Sequence, residues 1–408
     1  LGEGEEVNLE LMDLYKKMKS KDFGKKDFLR RAAEIDGIYV PSLYKVYYND
    51  DGTVKEIIPQ DNVRPIIKKR IIKDFDKVFY PENFVVPFTD IVHDRISVEV
   101  LRGCIRGCRF CQAGFLYRPF REKSPETVCR EAETLCGNTG YEEISLASLS
   151  TSDHSEIGKI LTELIPYTEK QHINLSLPSL RVDNFSKELM DEVKKVRKSG
   201  LTFAPEAGTQ RLRNVINKNV TEEEVMRTCR TAFEGGYTSV KLYFMLGLPT
   251  ETDEDIVGIT KLAQKIVDLY YSIPGRQKGK GVQVSISTAT FVPKPFTPFE
   301  FEPQATRSEI MHKQETLMNS ITSKKIKASW HDPSTSILEA ALARGDRRMG
   351  TAVYRAWEKG CKFDSWGEHF SYEKWREAFE ESGLDMEFYA CRRRDYEEIM
   401  PWDHLDYY

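Results

Sequence analysis

The sequence predicts an α/β fold: a partial (β/α)6 TIM-like barrel with an N-terminal connector and a small, mainly helical C-terminal module. Between residues 91 and 300, strand-like apolar runs alternate six times with helical patterns. Such alternation is typical of right-handed βαβ units around a parallel sheet. Six repeated units favour a partial or full barrel over an open sheet. The predicted strands span residues 96–101, 143–149, 173–177, 201–205, 239–246 and 283–291.

Between these strands, apolar residues recur with the spacing of one helix face. The predicted helices span residues 125–137, 155–170, 187–199, 222–235 and 253–271. In a barrel of this kind the functional groups lie at the carboxyl ends of the strands. The residues that directly follow each strand are therefore the candidate site residues.

The regions that flank the barrel have different patterns. At roughly 150 residues per domain, 408 residues predict two to three domains. Residues 1–20 predict a helix after an acidic start, and residues 21–90 form a connector that contains a hairpin around Asp51-Gly52. The barrel occupies residues 91–300. Residues 301–408 hold all five tryptophans and predict short helices with aromatic packing faces.

Composition excludes several classes of protein. Apolar residues make up 40% of the chain and charged residues 30%, and no run approaches the roughly 20 apolar residues of a membrane helix. We therefore expect a soluble, cytoplasmic protein that does not bind membranes. The net charge of −4 argues against a protein that binds polyanions with its whole surface. Eight cysteines are far too few for a disulfide scaffold.

Three of the eight cysteines, Cys104, Cys108 and Cys111, follow the first predicted strand within eight residues. Three thiolates on a tight loop can hold three corners of an iron–sulfur cubane, which leaves one iron open. Structural zinc prefers four protein ligands, and an electron-transfer cluster usually has four as well. Since Cys129 and Cys136 lie on the following predicted helix, the pattern favours the open cluster. A zinc site and three unrelated thiols remain the alternatives.

Other residues of the cysteine loop suit a cluster. Phe110 could shield it from water. The arginines of the loop could compensate its negative charge or hold a carboxylate, and they are Arg102, Arg106 and Arg109.

The C-x3-C-x-aromatic-C pattern after the first barrel strand resembles the radical S-adenosylmethionine (SAM) superfamily. The resemblance implies a [4Fe–4S] cluster on the three cysteines, with SAM chelated at the open iron. It also implies reductive cleavage of SAM to a 5′-deoxyadenosyl radical, which abstracts hydrogen from the substrate. A reductant such as flavodoxin or ferredoxin would supply the electron.

The resemblance extends to other strand ends. The serine-rich segment after the second strand stands where family members have a Gly-Gly-Glu segment, and capping of the next helix is its alternative role. The fourth strand ends in Glu206-Ala-Gly208, and the fifth in the family-like turn Gly247-Leu-Pro249. For Glu206, the alternative role is an ion pair with an arginine. For the apolar residues at the end of the sixth strand, the alternative role is plain core packing. The residues implied at SAM are Ser148, Ser150, Arg181, Glu206, Phe291 and Val292.

Both ends of the chain resemble one branch of the superfamily. The acidic residues 2–6 resemble the end of a cobalamin-binding domain that precedes the barrel, so we expect residues 1–20 to be the remainder of such a domain. Segments of the tail such as 357–360 and 364–370 resemble cobalamin-binding radical SAM proteins of unassigned substrate. The resemblance adds cobalamin as a cofactor and favours methyl transfer to an unactivated carbon. Radical rearrangement without methyl transfer is the second option.

The substrate, a small molecule or RNA, is not indicated by the sequence. The basic runs 68–70 and 392–394 keep a non-catalytic, metal-bearing RNA-binding module as the alternative function. In the tail, four residues could act as acid–base groups or ligands, although packing or capping roles are the simpler interpretation. They are His331, Asp332, Cys361 and His369.

Overall fold

The computed structural model describes residues 1–19, 23–177, 201–274, 279 and 281–407. The strands, numbered in chain order, are β1 (Tyr44–Tyr48), β2 (Val54–Pro59), β3 (Ile67–Lys68), β4 (Ile96–Glu99), β5 (Leu101–Arg102), β6 (Arg121–Glu122), β7 (Glu143–Ala147), β8 (Asn174–Ser176), β9 (Leu201–Glu206), β10 (Ser239–Leu246), β11 (Gln283–Thr290), β12 (Ile326–Trp330) and β13 (Leu405–Asp406).

The α-helices of the described residues are numbered in the same way. They are α1 (Val7–Lys19), α2 (Lys25–Ala32), α3 (Gln112–Leu116), α4 (Pro125–Thr139), α5 (Ile157–Gln171), α6 (Gln210–Val215), α7 (Glu222–Glu234), α8 (Asp253–Ser272), α9 (Arg307–Asn319), α10 (Pro333–Arg344), α11 (Met349–Glu358), α12 (Tyr372–Glu381) and α13 (Met386–Ala390).

The barrel strands are parallel, as predicted, and form two sheets in the described residues. One sheet has the order β4-β7-β8 and the other the order β12-β11-β10-β9. The outward residues of both sheets, such as Val98 and Leu242, belong to one hydrophobic core. This core also contains the inner faces of the flanking helices, including Leu161 of α5 and Ile259 of α8. The opposite, concave face of the strands carries mostly polar residues.

The structure adds a parallel strand that the sequence analysis did not predict. β12 pairs with β11 in the register Val284↔Ile326 to Thr288↔Trp330, beyond the sixth predicted strand. The pairing satisfies backbone groups that would otherwise form an open sheet edge. Only Ile326 of this strand is buried, so its sequence has no continuous apolar run. In the described residues, the parallel strands therefore continue one strand beyond the six that were predicted.

The other predicted barrel elements agree with the structure to within a few residues. The predicted strands at 239–246 and 283–291 correspond to β10 and β11, and the predicted helix at 155–170 corresponds to α5. The predicted helix at 187–199 lies outside the described residues.

The N-terminal residues pack on the first barrel unit. Gly2 forms a backbone bridge with Arg70, and Glu3 accepts hydrogen bonds from Arg121 and from the amide of Ile72. Arg102 of β5 forms ion pairs with Glu3, Glu5 and Glu99. The acidic start of the chain is thus held against the barrel by arginines. Its origin as the end of a cobalamin-binding domain stays a prediction.

The C-terminal helices α10 to α13 enclose a second core and contact the hairpin of β1 and β2. At this contact the buried Asp346 accepts hydrogen bonds from Arg348 and from the hydroxyls of Tyr48 and Tyr389. Arg348 also donates to the carbonyl of Gly52, so the hairpin turn is tied to the helical module.

The expected aromatic packing of the C-terminal module holds for only two of the five tryptophans. Trp375 and Trp402 are buried, whereas Trp330, Trp357 and Trp366 are 40–63% exposed. The number of tryptophans in residues 301–408 therefore overestimates the number that pack in the core of the C-terminal module. No helix of the described residues is long and apolar enough to cross a membrane.

Candidate functional site

The cysteine loop, residues 104–111, runs from β5 to α3 at the carboxyl end of the first parallel strand. Gly103, directly before the loop, has a φ of 91°, and a Cβ there would lie 2.8 Å from the carbonyl oxygen of Tyr117. Only glycine suits this close approach. Cys111 is the N-cap of α3, and its Sγ accepts the amide of Gly114 at 3.4 Å. The turn places Cys108 inside the protein, while Cys104 and Cys111 stay half-buried.

One side of the loop is fixed to the segment that follows α6. The Asn217 side chain donates from Nδ2 to the carbonyl oxygen of Gly107 at 2.9 Å. The Arg109 amide donates to the carbonyl of Ile216 at 3.0 Å, and its guanidinium donates to the carbonyl of Val215. Arg109, expected to face the cluster charge or a carboxylate, therefore binds the backbone of a neighbouring loop. The sequence analysis did not identify Asn217 as an anchor.

The other side of the loop is fixed to the segment after β7. Arg106 forms a two-pronged ion pair with Asp153, with Nε 2.8 Å from Oδ2. The Asp153 side chain is 1% exposed and also accepts the hydroxyl of Ser150 at 2.7 Å. The carboxylate that Arg106 was expected to hold thus belongs to the protein. Because the guanidinium fork matches both oxygens, the pair fixes the orientation of the loop.

The predicted serines take part in this local network. The Ser148 Oγ lies 2.8 Å from the Oγ1 of Thr151 and accepts the amide of Ser150 at 3.2 Å. Neither serine caps the following helix, because α5 begins after Glu156, which forms no side-chain cap. The capping alternative was therefore wrong. Contact of Ser148 and Ser150 with SAM stays a prediction.

Glu206 ends β9 with a φ of 67° and a side chain that is 17% exposed. Its Oε1 accepts a hydrogen bond from Lys218 Nζ at 3.1 Å. The cation that the sequence analysis sought for this glutamate is therefore a lysine, not an arginine. Burial raises the pKa of the nearby Cys111 thiol; the Glu206 and Cys104 charges add to this effect and Lys218 opposes it. Because the charges of Glu206 and Lys218 act on the Cys111 thiol, this ion pair lies beside the cysteine loop.

Phe291 and Val292 do not share one pocket. Phe291 is 1% exposed, packs edge-to-face on Phe299 and belongs to a small core with Leu248 at the strand ends. Phe110 of the cysteine loop packs against this same core. Val292 belongs instead to the core of the C-terminal module. Successive residues of an extended chain point to opposite sides, which explains the separation. The plain-core alternative describes both residues in this structure, and Arg181 lies outside the described residues.

The remaining cysteines are separate from the loop. Cys129 and Cys136 belong to the core between α4 and the sheet, where burial raises the pKa of Cys129 to about 12 and that of Cys136 to about 11. All eight cysteines lie in the described residues, and none forms a disulfide. Among the described residues, no group of three or more His, Cys, Asp or Glu side chains is placed to hold a single metal ion.

A cavity of about 800 Å³ opens beside the loop, and the sequence analysis did not predict it. Its walls come from the N-terminal segment, including Glu3 and Glu5, and from strand ends next to Gly103 and Ser148. One carboxylate oxygen of Glu5 is buried there without a hydrogen-bond partner among the described residues. The cavity reaches Gly103, directly before the loop, but none of residues 104–111 lines it.

Three of the four candidates of the tail have structural contacts. Asp332 caps α10 by accepting the amide of Ser334 at 2.7 Å, which confirms the capping interpretation. Cys361 is buried in the C-terminal core. The His369 ring lies against Phe363, with ring centroids 6.0 Å apart, and His331 is exposed.

Two sequence families match the chain. Residues 98–263, from β4 into α8, match the radical SAM superfamily. The chain contains a radical SAM domain. Residues 1–41 match the N-terminal region of radical SAM proteins. The radical SAM domain includes the cysteine loop and both of its anchors, Asp153 and Asn217.

Curated relatives match the radical SAM domain and part of its flanks. An uncharacterized protein of Methanocaldococcus jannaschii is 29% identical over 302 residues, which cover 74% of this chain and 63% of the relative. An uncharacterized methyltransferase of Pyrococcus horikoshii is 24% identical over 262 residues, or 60% of this chain and 50% of the relative. The threonylcarbamoyladenosine tRNA methylthiotransferase of Bacillus subtilis is 24% identical over 210 residues, or 49% and 44%. The chain spans less than two thirds of each relative.

Among solved structures, the cobalamin-dependent SAM radical enzyme OxsB is similar over 89% of this chain and 53% of its own, with 15% identity and a TM-score of 0.43. The radical SAM methyltransferase TsrM of Kitasatospora setae covers 50% of this chain and 38% of its own, with 16% identity and a TM-score of 0.39.

Proposed function

We propose that this chain is a radical SAM enzyme whose [4Fe–4S] cluster is held by Cys104, Cys108 and Cys111. The observation that carries the proposal is the anchored cysteine loop at the end of the first parallel strand. Its hydrogen bonds to Asp153 and Asn217 tie it to the ends of two other barrel segments. A loop that is fixed in this way can present three thiolates in a constant arrangement.

The residues of the loop fit the group. Thiolates are the usual ligands of iron–sulfur clusters, and three of them leave one iron open to SAM. When bound, the cluster would supply one electron to SAM, which would split into methionine and a 5′-deoxyadenosyl fragment able to abstract hydrogen from the substrate. The protein orients and shields these groups. Phe110 closes one side of the loop with an apolar contact, and Arg106 and Asp153 fix its backbone.

The SAM contacts are proposed on position alone. Ser148, Ser150 and Glu206 lie at strand ends next to the cysteine loop. Glu206 has one carboxylate oxygen bound to Lys218, so the second oxygen can accept a ribose hydroxyl. Arg181 stays a candidate for the SAM carboxylate. The burial of Phe291 and Val292 makes them the weakest candidates of the set.

Methyl transfer to an unactivated carbon, with cobalamin as the methyl carrier, is the finer form of the proposal. It is supported by the resemblance of the tail to cobalamin-binding radical SAM proteins and by the methyltransferase relative. The alternative, a metal-bearing RNA-binding module, has less support, because Arg392 and Arg393 pair with glutamates and Arg394 is buried.

Anaerobic reconstitution tests the proposal. We expect about four irons per chain and 5′-deoxyadenosine from SAM under a reductant such as reduced flavodoxin or ferredoxin. Cys104→Ala, Cys108→Ala and Cys111→Ala should each lose the cluster and the product. Cys136→Ala is the matched control and should keep both. Stoichiometric zinc without SAM cleavage, or an equal requirement for Cys136, would contradict the proposal.

A further inference from the structure

Two lysines that form no ion pair with a described residue lie on the concave face of the four-stranded sheet. Along β10, Val240, Leu242 and Phe244 face the helices and belong to the core. Side chains alternate along a strand, so Lys241 and Tyr243 face the concave side. β12 follows the same rule: Ile326 is buried in the core and Lys327 is exposed on the opposite face.

The strand register brings these lysines into one row. Lys241 pairs with Ser285 of β11, and Ser285 pairs with Lys327 of β12. Neighbouring strands are about 4.8 Å apart, so the two lysine Cα atoms are separated by about 10 Å with a serine hydroxyl between them. The next row on this face holds Tyr243, Ser287 and Ser329. The Lys241 ammonium lies 4.7 Å from the centre of the Tyr243 ring.

In the described part of the chain, no carboxylate forms an ion pair with either lysine of this face. Neither Lys241 nor Lys327 forms a hydrogen bond or an ion pair with a described residue. The carboxylates of the same face are engaged elsewhere: Glu99 binds Arg102 and Glu206 binds Lys218. The row therefore presents two cations, with hydroxyl donors between and above them, toward the interior of the barrel.

We propose that the row of Lys241, Ser285 and Lys327 binds a phosphate group of the substrate. This inference rests on the proposed function, because it takes the row, which lies toward the amino ends of β10 and β12, to hold the part of a substrate that is farthest from the cysteine loop. Lysine acts toward phosphate as a point charge, and a serine hydroxyl donates to the same oxygens. Two cations around one hydroxyl match a tetrahedral dianion better than a planar carboxylate, which prefers the arginine fork.

A ³¹P NMR titration of the full chain with inorganic phosphate at constant ionic strength tests the assignment. We expect saturable binding that Lys241→Gln and Lys327→Gln each weaken about tenfold. Lys261→Gln, at an exposed lysine of α8, is the matched control and should bind as the wild type does. Thermal unfolding of each variant shows whether it is folded.

Competition shows which source of phosphate the site accepts. Displacement by phenyl phosphate alone supports a small phosphate ester, and displacement by oligouridylate supports a phosphodiester backbone. The assignment is overturned if phosphate does not bind, if the lysine variants bind it as the wild type does, or if malonate displaces it at lower concentration. SAM cleavage is measured separately. Phosphate binding without SAM cleavage would contradict only the proposed function, and SAM cleavage without phosphate binding only this inference.

Discussion

The side chain of Asn217 donates a hydrogen bond to the carbonyl oxygen of Gly107, 110 positions earlier in the chain, at 2.9 Å. Gly107 lies between two of the proposed cluster ligands, and both residues have left-handed backbone, with φ of 68° and 53°. The bond therefore joins two unusual turns that support the arrangement of the thiols.

We expect Asn217→Gly to lower the iron content and the rate of 5′-deoxyadenosine formation about tenfold, because glycine keeps the left-handed backbone but removes the donor. Iron assay and product chromatography measure the effect. Asn219→Gly is the matched control, since Asn219 also has a positive φ but is exposed. Equal losses in both variants would mean that backbone flexibility, not the hydrogen bond, matters.

Removal of one partner of the Arg106–Asp153 pair should destabilise the protein strongly. Arg106→Ala removes the two-pronged ion pair to the Asp153 carboxylate, whose side chain is 1% exposed, and loss of one partner of a buried pair costs about 3–5 kcal/mol. We expect Arg106→Ala/Asp153→Ala to recover part of that loss. Urea unfolding of the iron-free protein in a double-mutant cycle measures the coupling and keeps the cluster out of the comparison. Additive effects of the two single changes would show that the pair does not act as a unit.

Gly208 permits the end of β9 to contact α8. A Cβ at this position would overlap the carbonyl oxygen of Asp255 and the amide nitrogen of Ile259. We expect Gly208→Ala to lower the free energy of unfolding by about 3 kcal/mol or more, because backbone atoms must move. Gly137→Ala is the control: no atom lies within 4 Å of its added Cβ, and it lies inside α4. That change should stabilise the protein by roughly 0.5–1 kcal/mol.

His404 should make stability depend on pH. Its ring is buried near Tyr39 and Tyr44, neither ring nitrogen has a partner among the described residues, and burial lowers its pKa to about 4. The unfolded chain binds the proton near pH 6.5 and the folded chain near pH 4, so the histidine's contribution is lost as pH falls through this window.

Replacement by phenylalanine tests this dependence. His404→Phe should gain stability relative to the wild type between about pH 7.5 and about pH 5, as measured by urea unfolding at both values. His331→Phe, at an exposed histidine, should show no such change. A difference between wild type and His404→Phe that is constant with pH would refute the prediction.

The barrel elements and the cysteine loop could be predicted because their signals are local. An apolar strand-like run identified β10, helix-spaced apolar residues identified α8, and three cysteines in one short segment identified the loop. β12 was missed because only one residue of the segment from Ile326 to Trp330 is buried, so the segment has no apolar strand pattern. Its strand conformation is stabilised by backbone pairing with β11.

The partners of site residues could not be predicted, because they depend on contacts between distant parts of the chain. Lys218 could be placed beside Glu206 only after the path of the chain through α6 was known. In the same way, nothing in the sequence near Gly107 indicates that Asn217 binds it. Phe291 and Val292 are neighbours in sequence, yet their side chains pack in different cores.

The two anchors of the cysteine loop belong to different halves of the barrel. Asp153 follows β7 of the three-stranded sheet, and Asn217 follows β9 of the four-stranded sheet. The loop therefore connects the two sheets of the barrel. A change in the distance between the sheets would displace the three cysteines of the loop. A change in the width of the barrel would therefore be transmitted to the three proposed cluster ligands.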